Sequence, residues 1–199
     1  MHPWRDRLSR WFSPLARRSP LSPNTITILA LLLNVAAAAL LVRRSFPMAI
    51  IVIVFAGLAD AFDGIVARVQ GKETRFGDFL DHFADRVSDT LLTAGWTVGS
   101  GVRESLVVAA VIVTMLNGYV GTQIEATFRE RNYESIGRGE FVLALIIFPL
   151  VSYILFRNGW DSMRGGGLTI AEWLALVLIA FAILAIGQRL ALARRLERS

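Results

Sequence analysis

The stretch DAFDGIVARVQGKETRFGDFLDHFAD, residues 60–85, places four aspartates at regular spacing within an apolar chain. The nine residues before it, IVIVFAGLA, are typical of a membrane-spanning helix. Asp60 and Asp63 are three residues apart, so on a helix they share one face. Asp81 and Asp85 are four residues apart, and the same holds for them. The stretch therefore predicts two helices, each carrying a pair of carboxylates, joined by the polar segment QGKETRFG.

The composition indicates a membrane protein without cysteine chemistry. The chain has 199 residues, of which 54% are hydrophobic, and its mean hydropathy is +0.53. The apolar residues form continuous blocks, whereas a soluble domain spreads them over amphipathic stripes. The absence of cysteine excludes disulfides and thiolate metal sites. The net charge of +5 comes almost entirely from arginine, since Lys72 is the sole lysine. Arginine suits phosphate-bearing partners and anionic lipid headgroups, although genome composition explains the count equally well.

Six blocks are long enough to cross a bilayer, which takes about 20 mostly apolar residues. They lie at roughly 25–42, 47–68, 76–99, 105–126, 140–156 and 169–190. The segments between them carry charged and turn-forming residues. The second and third blocks are the least apolar because they contain the aspartates. The sequence therefore predicts an all-α integral membrane protein with six transmembrane helices, in which residues 21–199 form one membrane domain.

The N-terminal residues 1–20 combine arginines with apolar residues at near-helical spacing. The apolar positions are Trp4, Leu8, Trp11, Phe12 and Leu15. This pattern is typical of an amphipathic helix that lies in the membrane interface with its apolar face toward the lipid. A partly disordered basic tail is the alternative.

Basic residues are distributed unevenly between the two sides of the predicted membrane domain. Fifteen of the 21 lie on the side of the N-terminus, five lie on the opposite side, and Arg86 lies within the third span. Positively charged segments favour the cytoplasm, so both termini are expected there. The second span then runs inward and the third outward. Both aspartate pairs are therefore expected at similar depth, near the cytoplasmic surface, where the four carboxylates can converge.

Four ionised carboxylates at membrane depth need compensating charge, because an isolated one costs several kcal/mol. The nearby basic residues, Arg68 and Arg86, are too few to neutralise four. One or two divalent cations would offset the charge, and all-oxygen ligation selects Mg²⁺ or Mn²⁺. Interhelical pairing of the acids is the alternative. His82 projects about 100° away from Asp81 on the helix, so packing or hydration is expected for it. Small residues would let helices or a ligand approach closely; they are Gly57, Ala59, Gly64, Ala67 and Gly77.

The spacing of these residues resembles the signature of the CDP-alcohol phosphotransferase family. As a pattern it is Asp60-x2-Asp63-Gly64-x2-Ala67-Arg68-x8-Gly77-x3-Asp81-x3-Asp85. The six spans, and the segment LSPNTIT at residues 21–27, are also similar to that family. Family members transfer the phosphoryl-alcohol part of a CDP-linked alcohol, usually a lipid, to a second alcohol and release CMP. The resemblance therefore implies a Mg²⁺- or Mn²⁺-dependent transferase of phospholipid biosynthesis with two metal ions.

The resemblance also implies roles for individual residues. Asp60, Asp63 and Asp81 would bind the metal ions that hold the diphosphate. Asp85 would accept the proton of the attacking hydroxyl and contact the second metal ion. The residues implied to bind the nucleotide are Asp60, Asp63, Gly64, Ala67, Arg68 and Gly77. General physical chemistry agrees, because cations neutralise a diphosphate and a carboxylate can act as a general base.

Two arginines at the same depth are candidates for binding the acceptor. Arg138 precedes the fifth span and Arg189 closes the sixth. The chain is similar here to the family branch that makes phosphatidylinositol phosphate or archaetidylinositol phosphate, whose acceptor is inositol phosphate. Two guanidiniums suit a phosphorylated acceptor, and interfacial snorkelling is the alternative. A departure lies at residues 121–123, where Gly-Thr-Gln stands in place of an expected basic residue. Glycerol phosphate as acceptor, or a CDP-inositol donor, therefore stays open.

Two other classes of membrane protein also use intramembrane aspartates. A cation-coupled transporter would predict an internal inverted repeat, which the sequence lacks. A membrane prenyltransferase would use Mg²⁺ and a diphosphate, but it would not require Gly64, Ala67 and Arg68 at these offsets. The expected partners are therefore a CDP-linked lipid donor, a polar and phosphorylated alcohol acceptor, and membrane lipids. No nucleic acid is expected, and a homodimer is left open.

Overall fold

The computed structural model describes residues 12–128 and 138–197, apart from the side chains of residues 138–140. A short helical segment, α1, covers residues 12–18. Six long helices follow: α2 (Pro23–Val42), α3 (Phe46–Val69), α4 (Arg75–Gly99), α5 (Glu104–Phe128), α6 (Arg138–Asn158) and α7 (Ile170–Leu196). A small antiparallel hairpin, β1 (Arg164–Gly165) and β2 (Leu168–Thr169), connects the last two.

The outer surface of the helices is apolar, as a lipid environment requires. Large side chains such as Phe55, Phe79 and Phe181 are more than half exposed, which is unusual for a water-soluble monomer. Within the described ranges, five helices are long and apolar enough to cross a membrane, namely α2, α3, α5, α6 and α7. The predicted all-α membrane fold is confirmed. The predicted third span, α4, has 25 residues but falls outside these five because it carries the acidic residues.

Local sequence signals define where the helices begin. Ser22 Oγ accepts a 3.2 Å hydrogen bond from the backbone N–H of Thr25, and Pro23 occupies the first turn of α2. Thr74 Oγ1 caps α4 by accepting a 3.0 Å hydrogen bond from Gly77 N–H. These contacts satisfy backbone donors that lack a partner within the helix. The connection between α3 and α4 is short and comprises residues 70–74.

Two glycines let α4 pack directly against the backbone of α2. A Cβ on Gly95 would lie 2.7 Å from the carbonyl oxygen of Ala38. A Cβ on Gly99 would overlap the carbonyl oxygen of Leu41. Both positions are buried. Side-chain-free positions of this kind allow helices to approach closely in membranes, so this pair of glycines sets the distance between α2 and α4.

A polar cluster stabilises the interior of the bundle on the side away from the aspartates. Trp96 is fully buried, and its Nε1 donates a 3.0 Å hydrogen bond to Ser152 Oγ of α6. Ser100 Oγ lies 2.8 Å from the same oxygen. The Trp96 ring also packs against Phe148, with ring centroids 5.2 Å apart. The indole therefore joins α4 to α6 by both packing and hydrogen bonding.

An ion pair joins the start of α7 to the turn between α4 and α5. Arg103 Nε lies 2.6 Å from Glu172 Oε1, and its second nitrogen lies 3.2 Å from Oε2. The hydrogen bond to Glu172 raises the pKa of Arg103 above its ordinary value, so the guanidinium stays charged. Glu172 also completes a capping box with Thr169. One carboxylate thus orients both the helix start and the neighbouring turn.

The described part of the N-terminal segment packs against the ends of α2 and α3. Phe12 makes an edge-to-face contact with Phe62, with centroids 6.2 Å apart. Ala16 is fully buried, and Gln70 Nε2 donates a 2.8 Å hydrogen bond to its carbonyl oxygen. Residues 1–11, which carry most of the predicted interfacial helix 1–20, lie outside the described residues.

Candidate active site

Asp63 and Asp81 lie at matching distances from the two helix ends that the α3–α4 turn connects. α3 ends at Val69 and is followed by Gly71, which is left-handed with φ of 63°. The N–H of Lys72 donates a 2.8 Å hydrogen bond to the carbonyl oxygen of Ala67. This is the helix stop that glycine favours. At a rise of about 1.5 Å per residue, Asp63 lies roughly 9 Å before the end of α3. Asp81 lies roughly 9 Å after the start of α4 by the same measure.

Asp60, Asp63 and Asp81 form a first acidic group. One carboxylate oxygen from each lies within 4.8 Å of the others. Asp63 is buried, and the other two are partly exposed. Two helices that are adjacent in sequence therefore bring three carboxylates together, with the more exposed pair open to a ligand.

Thr27 of α2 supports this group from a third helix. Its hydroxyl donates a 2.6 Å hydrogen bond to Oδ2 of Asp63 and lies 3.1 Å from the carbonyl oxygen of Pro23. Thr27 is itself buried. The contact orients the Asp63 carboxylate and satisfies one of its lone pairs. Thr27 lies in the LSPNTIT segment, but no local sequence pattern indicates which residue its side chain faces.

Asp81, His82 and Asp85 form a second group that shares Asp81 with the first. One ligand atom from each of the three lies within 4.8 Å of the others. A ring nitrogen of His82 therefore lies near both carboxylates, although His82 projects about 100° from Asp81 on the helix, and packing or hydration stays the prediction for its role. Its ring lies between α4 and α5, with Nε2 3.9 Å from Asp78 and 3.8 Å from Glu125. The His82 side chain is long enough for its ring nitrogens to lie near these carboxylates, which the direction of its Cα–Cβ bond alone does not predict.

The donor atoms of the first group fit a hard divalent cation. Ligands on opposite sides of Mg²⁺ are about 4.2 Å apart, since each bond is about 2.1 Å. A separation of up to 4.8 Å is slightly wider, so an ion would draw the carboxylates inward. Carboxylate oxygens are the ligands that Mg²⁺ and Mn²⁺ prefer. The second group offers two carboxylates and an imidazole, so Asp81 could bridge two ions.

The residues of the predicted nucleotide site lie near the C-terminal end of α3 and the start of α4. The guanidinium of Arg68 lies over Gly64, where an added Cβ would be 3.4 Å from Nη1. Ala67 is partly buried in the same turn. A Cβ on Gly77 would be 3.1 Å from the side-chain oxygens of Asn24 and Thr74. Glycine at these two positions thus lets Arg68 lie over α3 and lets Asn24 and Thr74 lie close to the start of α4.

A small cavity extends from Asp60 into the bundle. Its volume is about 50 Å³, and its lining includes Gly57 of α3 and the polar side chains Asn34, Ser88 and Asp89. Asn34 Nδ2 donates a 3.0 Å hydrogen bond to Ser88 Oγ. The acidic groups are therefore connected to polar side chains deeper in the membrane domain.

The structure describes the side chain of one predicted acceptor arginine, Arg189, but not that of the other, Arg138. Arg189 lies against α5, where it donates hydrogen bonds to the carbonyl oxygen of Asn117 and, at 2.6 Å, to Asn117 Oδ1. Arg138 begins α6, but its side chain lies outside the described residues. Arg86, which sequence analysis left unassigned, is close enough to Arg189 for their charges to interact.

The structure is an all-α membrane domain with two acidic groups that share Asp81 and could hold divalent cations, which suits a metal-dependent membrane enzyme. The sequence matches the CDP-alcohol phosphatidyltransferase family over residues 20–186. The chain therefore belongs to this family. It is an integral membrane transferase that uses divalent metal ions and moves a phosphoryl-alcohol group from a CDP-linked donor to an alcohol, releasing CMP. Membership sets aside the transporter and prenyltransferase alternatives.

Relatives of known activity cover most of the chain. Phosphatidylinositol phosphate synthase of Mycobacterium marinum is 32% identical over 197 residues, covering 94% of this chain and 80% of the relative. Archaetidylinositol phosphate synthase of Methanothermobacter thermautotrophicus is 27% identical over 155 residues, covering 78% of this chain and 80% of the relative.

The fold is also similar to solved structures of Mycobacterium tuberculosis phosphatidylinositol phosphate synthase. The structure with CDP-DAG bound has a TM-score of 0.70 and 28% identity, covering 92% of this chain and 94% of that one. The structure in complex with manganese and citrate has a TM-score of 0.69 and 27% identity, covering 91% and 88%.

Proposed function

We propose that this enzyme transfers a phosphatidyl or archaetidyl group from a CDP-linked lipid to inositol phosphate. The observation that carries the proposal is similarity to a phosphatidylinositol phosphate synthase over 94% of the chain and to an archaetidylinositol phosphate synthase over 78% of it. The bound CDP-DAG of the Mycobacterium tuberculosis neighbour supports a CDP-lipid donor.

Asp60, Asp63 and Asp81 hold one divalent cation in this proposal, and Asp81 and Asp85 contribute to a second. The closeness of the donor atoms in two groups that share Asp81 supports the assignment. Such ions neutralise a diphosphate and the charge that develops on a leaving phosphate. Thr27 keeps the Asp63 carboxylate oriented through its hydrogen bond.

Asp85 acts as the general base. The acceptor oxygen attacks the lipid-bearing phosphorus, a new P–O bond forms, and the bond from that phosphorus to the bridging oxygen breaks. The hydroxyl proton passes to the Asp85 carboxylate, and CMP leaves with the bridging oxygen. The burial of Asp85 beside Asp81 supports this role, because a carboxylate inside the site can contact a bound hydroxyl away from bulk water.

The cytidine nucleotide binds along the turn that carries Gly64, Ala67 and Arg68, and beside Gly77. The lack of side chains at Gly64 and Gly77 supports this placement, because it lets the polar side chains of Arg68, Asn24 and Thr74 lie close to the backbone there. The guanidinium of Arg68 is exposed enough to reach a phosphate or the base.

The acceptor binds between α4, α5 and α7, where Arg189 supplies positive charge. Arg138, the first residue of α6, is a second candidate from its position in the sequence alone. The absence of a basic residue at 121–123 favours glycerol phosphate as a second candidate acceptor. Glycerol phosphate shares the phosphate group but not the ring, so the two acceptors separate in a direct assay.

The proposed orientation places both termini and the active site on the cytoplasmic side of the cell membrane. The excess of basic residues on that side supports it. Residues 1–20 would form the interfacial helix and 21–199 the catalytic domain, and the buried Ala16 supports a docked N-terminal segment. A homodimer remains an open proposal.

The test is CMP release by purified enzyme with a panel of donors and acceptors. CDP-diacylglycerol, CDP-archaeol and CDP-inositol would each be combined with inositol phosphate, glycerol phosphate and unphosphorylated inositol. Release of CMP with a CDP-lipid and inositol phosphate, well above the other pairs, is expected. A preference for glycerol phosphate or for CDP-inositol would overturn the substrate assignment while leaving the reaction class intact.

A further inference from the structure

Two arginines from different helices meet on one face of α5. That face is formed by Asn117, Gly118 and Gly121, which lie within an arc of about 100°. Arg86 of α4 crosses Gly118 so closely that an added Cβ would overlap its side chain. Arg189 of α7 crosses Gly121, where a Cβ would lie 3.1 Å from Nη1. Glycine at both positions is what allows the two guanidinium groups to enter the same space.

The two guanidinium groups share one acidic partner within the described part of the chain, a long ion pair between Arg86 and Asp89. Arg189 donates to Asn117, whose oxygens are uncharged. Arg86 has Asp89 as its acidic neighbour, at 3.7 Å, which is longer than a hydrogen bond. The buried Nε of Arg86 finds no hydrogen-bond acceptor among the described residues. The site therefore carries more positive charge and more donors than its surroundings satisfy.

The charges of the two arginines also repel each other. Arg189 is partly buried, and the positive charge of Arg86 acts on it directly. Like charges in a partly desolvated site are destabilising unless an anion lies between them. A phosphate monoester fits best, because it carries up to two negative charges and accepts several hydrogen bonds from guanidinium groups.

The arginine pair lies beside the residues of the proposed chemistry. Arg86 directly follows Asp85 in α4, and one turn before it His82 approaches Glu125 on the same helix, α5. An anion held by Arg86 and Arg189 would therefore lie at the same depth along α4 as the carboxylate that removes the acceptor's proton. The donor's nucleotide, by contrast, is proposed to bind at the C-terminal end of α3 and the start of α4.

We propose that Arg86 and Arg189 together form the phosphate-binding part of the acceptor site, with Gly118 and Gly121 as its floor. Arg86 thereby becomes a specificity-determining residue for phosphorylated acceptors. This inference rests on the proposed function. A purely structural Arg86, which only pairs with Asp89 within α4 and packs over Gly118 of α5, is the competing explanation.

The test compares Arg86→Gln, Arg86→Lys and Gly118→Ala with the matched control Gly187→Ala. Gly187 has open space around its Cβ position, so its variant should behave as the unmodified enzyme does. The KM values for inositol phosphate and for the CDP-lipid are measured separately. Loss of charge-assisted hydrogen bonds should raise the acceptor KM about 10- to 100-fold in Arg86→Gln. Gly118→Ala keeps every charge but displaces Arg86, so it should raise the same KM.

Binding of inorganic phosphate, measured by calorimetry without donor, gives a second readout. Phosphate should bind the unmodified enzyme and compete with the acceptor, and its affinity should fall at least about tenfold in Arg86→Gln. Arg86→Lys keeps the charge next to Asp89 but lacks the planar fork, so it should fold and still weaken phosphate binding.

Three results separate the explanations. An unchanged acceptor KM in both Arg86→Lys and Gly118→Ala overturns the inference, and so does an equal rise in the KM of donor and acceptor. Phosphate binding that is unaffected by Arg86→Lys also overturns it. If no phosphorylated acceptor yields CMP with the unmodified enzyme, the proposed function fails. The calorimetric measurement of phosphate binding still shows in that case whether Arg86 and Arg189 bind phosphate.

Discussion

The hydroxyl of Thr27 in α2 donates a 2.6 Å hydrogen bond to Oδ2 of Asp63 in α3, and both residues are buried. This contact connects a helix without acidic residues to the acidic groups of the site. It also explains how a buried carboxylate is tolerated at membrane depth, because one of its lone pairs is satisfied before any metal ion binds.

Replacing Thr27 with valine should weaken metal binding without removing a ligand. Valine keeps the shape of threonine but cannot donate the hydrogen bond, so the Asp63 carboxylate loses its orientation. Loss of such a supporting contact typically lowers metal affinity or activity by about 10- to 100-fold. A Mn²⁺ titration of activity and calorimetry measure the effect. Thr25→Val, which alters an exposed hydroxyl two residues away, is the control. Equal metal affinity in both variants would contradict the prediction.

Removal of divalent cations should abolish turnover. Without cations, the carboxylates of Asp60, Asp63 and Asp81 repel one another, and a diphosphate cannot be held next to them. EDTA should therefore stop CMP release, and Mg²⁺ or Mn²⁺ should restore it. Ca²⁺ provides a comparison, since it has the same charge but longer bonds to oxygen. Full activity in metal-free buffer would disprove the metal assignment.

Asp85→Asn should differ from the asparagine variants of Asp60, Asp63 and Asp81. An amide keeps an oxygen ligand, so added metal should partly rescue the three ligand variants. It cannot accept a proton at neutral pH, so Asp85→Asn should lose about 10²- to 10⁴-fold in kcat whatever the metal concentration. Donor binding by calorimetry, beside a metal titration of all four variants, makes the comparison. Rescue of Asp85→Asn by metal would show that it is mainly a ligand.

Gly99→Ala should destabilise the protein rather than change its substrate preference. The added methyl would overlap the backbone of Leu41, so α2 and α4 would have to separate. Overpacking of this kind costs about 1–3 kcal/mol and occasionally more. Thermal unfolding in detergent measures the loss, with Gly187→Ala as the control. A transition temperature equal to that of the control would show that the α2–α4 contact adjusts without cost.

Helix boundaries were largely predictable because their signals are local. Runs of apolar residues, the caps at Ser22 and Thr74, and the stop at Gly71 all act within one turn of the helix end. The clearest difference is α7, which continues to Leu196 although the predicted span ends at 190. Its last turns contain alanine, leucine and arginine, which favour a helix but are too polar to be predicted as part of a membrane span.

The sequence by itself determined which aspartates share a helix face, because helical periodicity relates residues three and four apart. It also supplied the depth of the two pairs, since each is counted from a nearby helix end. Only the tertiary structure brought Thr27 to Asp63, His82 to Glu125, and Arg86 to Arg189. Those contacts depend on the rotation and separation of whole helices, which close packing at positions such as Gly95 decides. No periodicity within a single helix encodes which neighbour lies across such a contact.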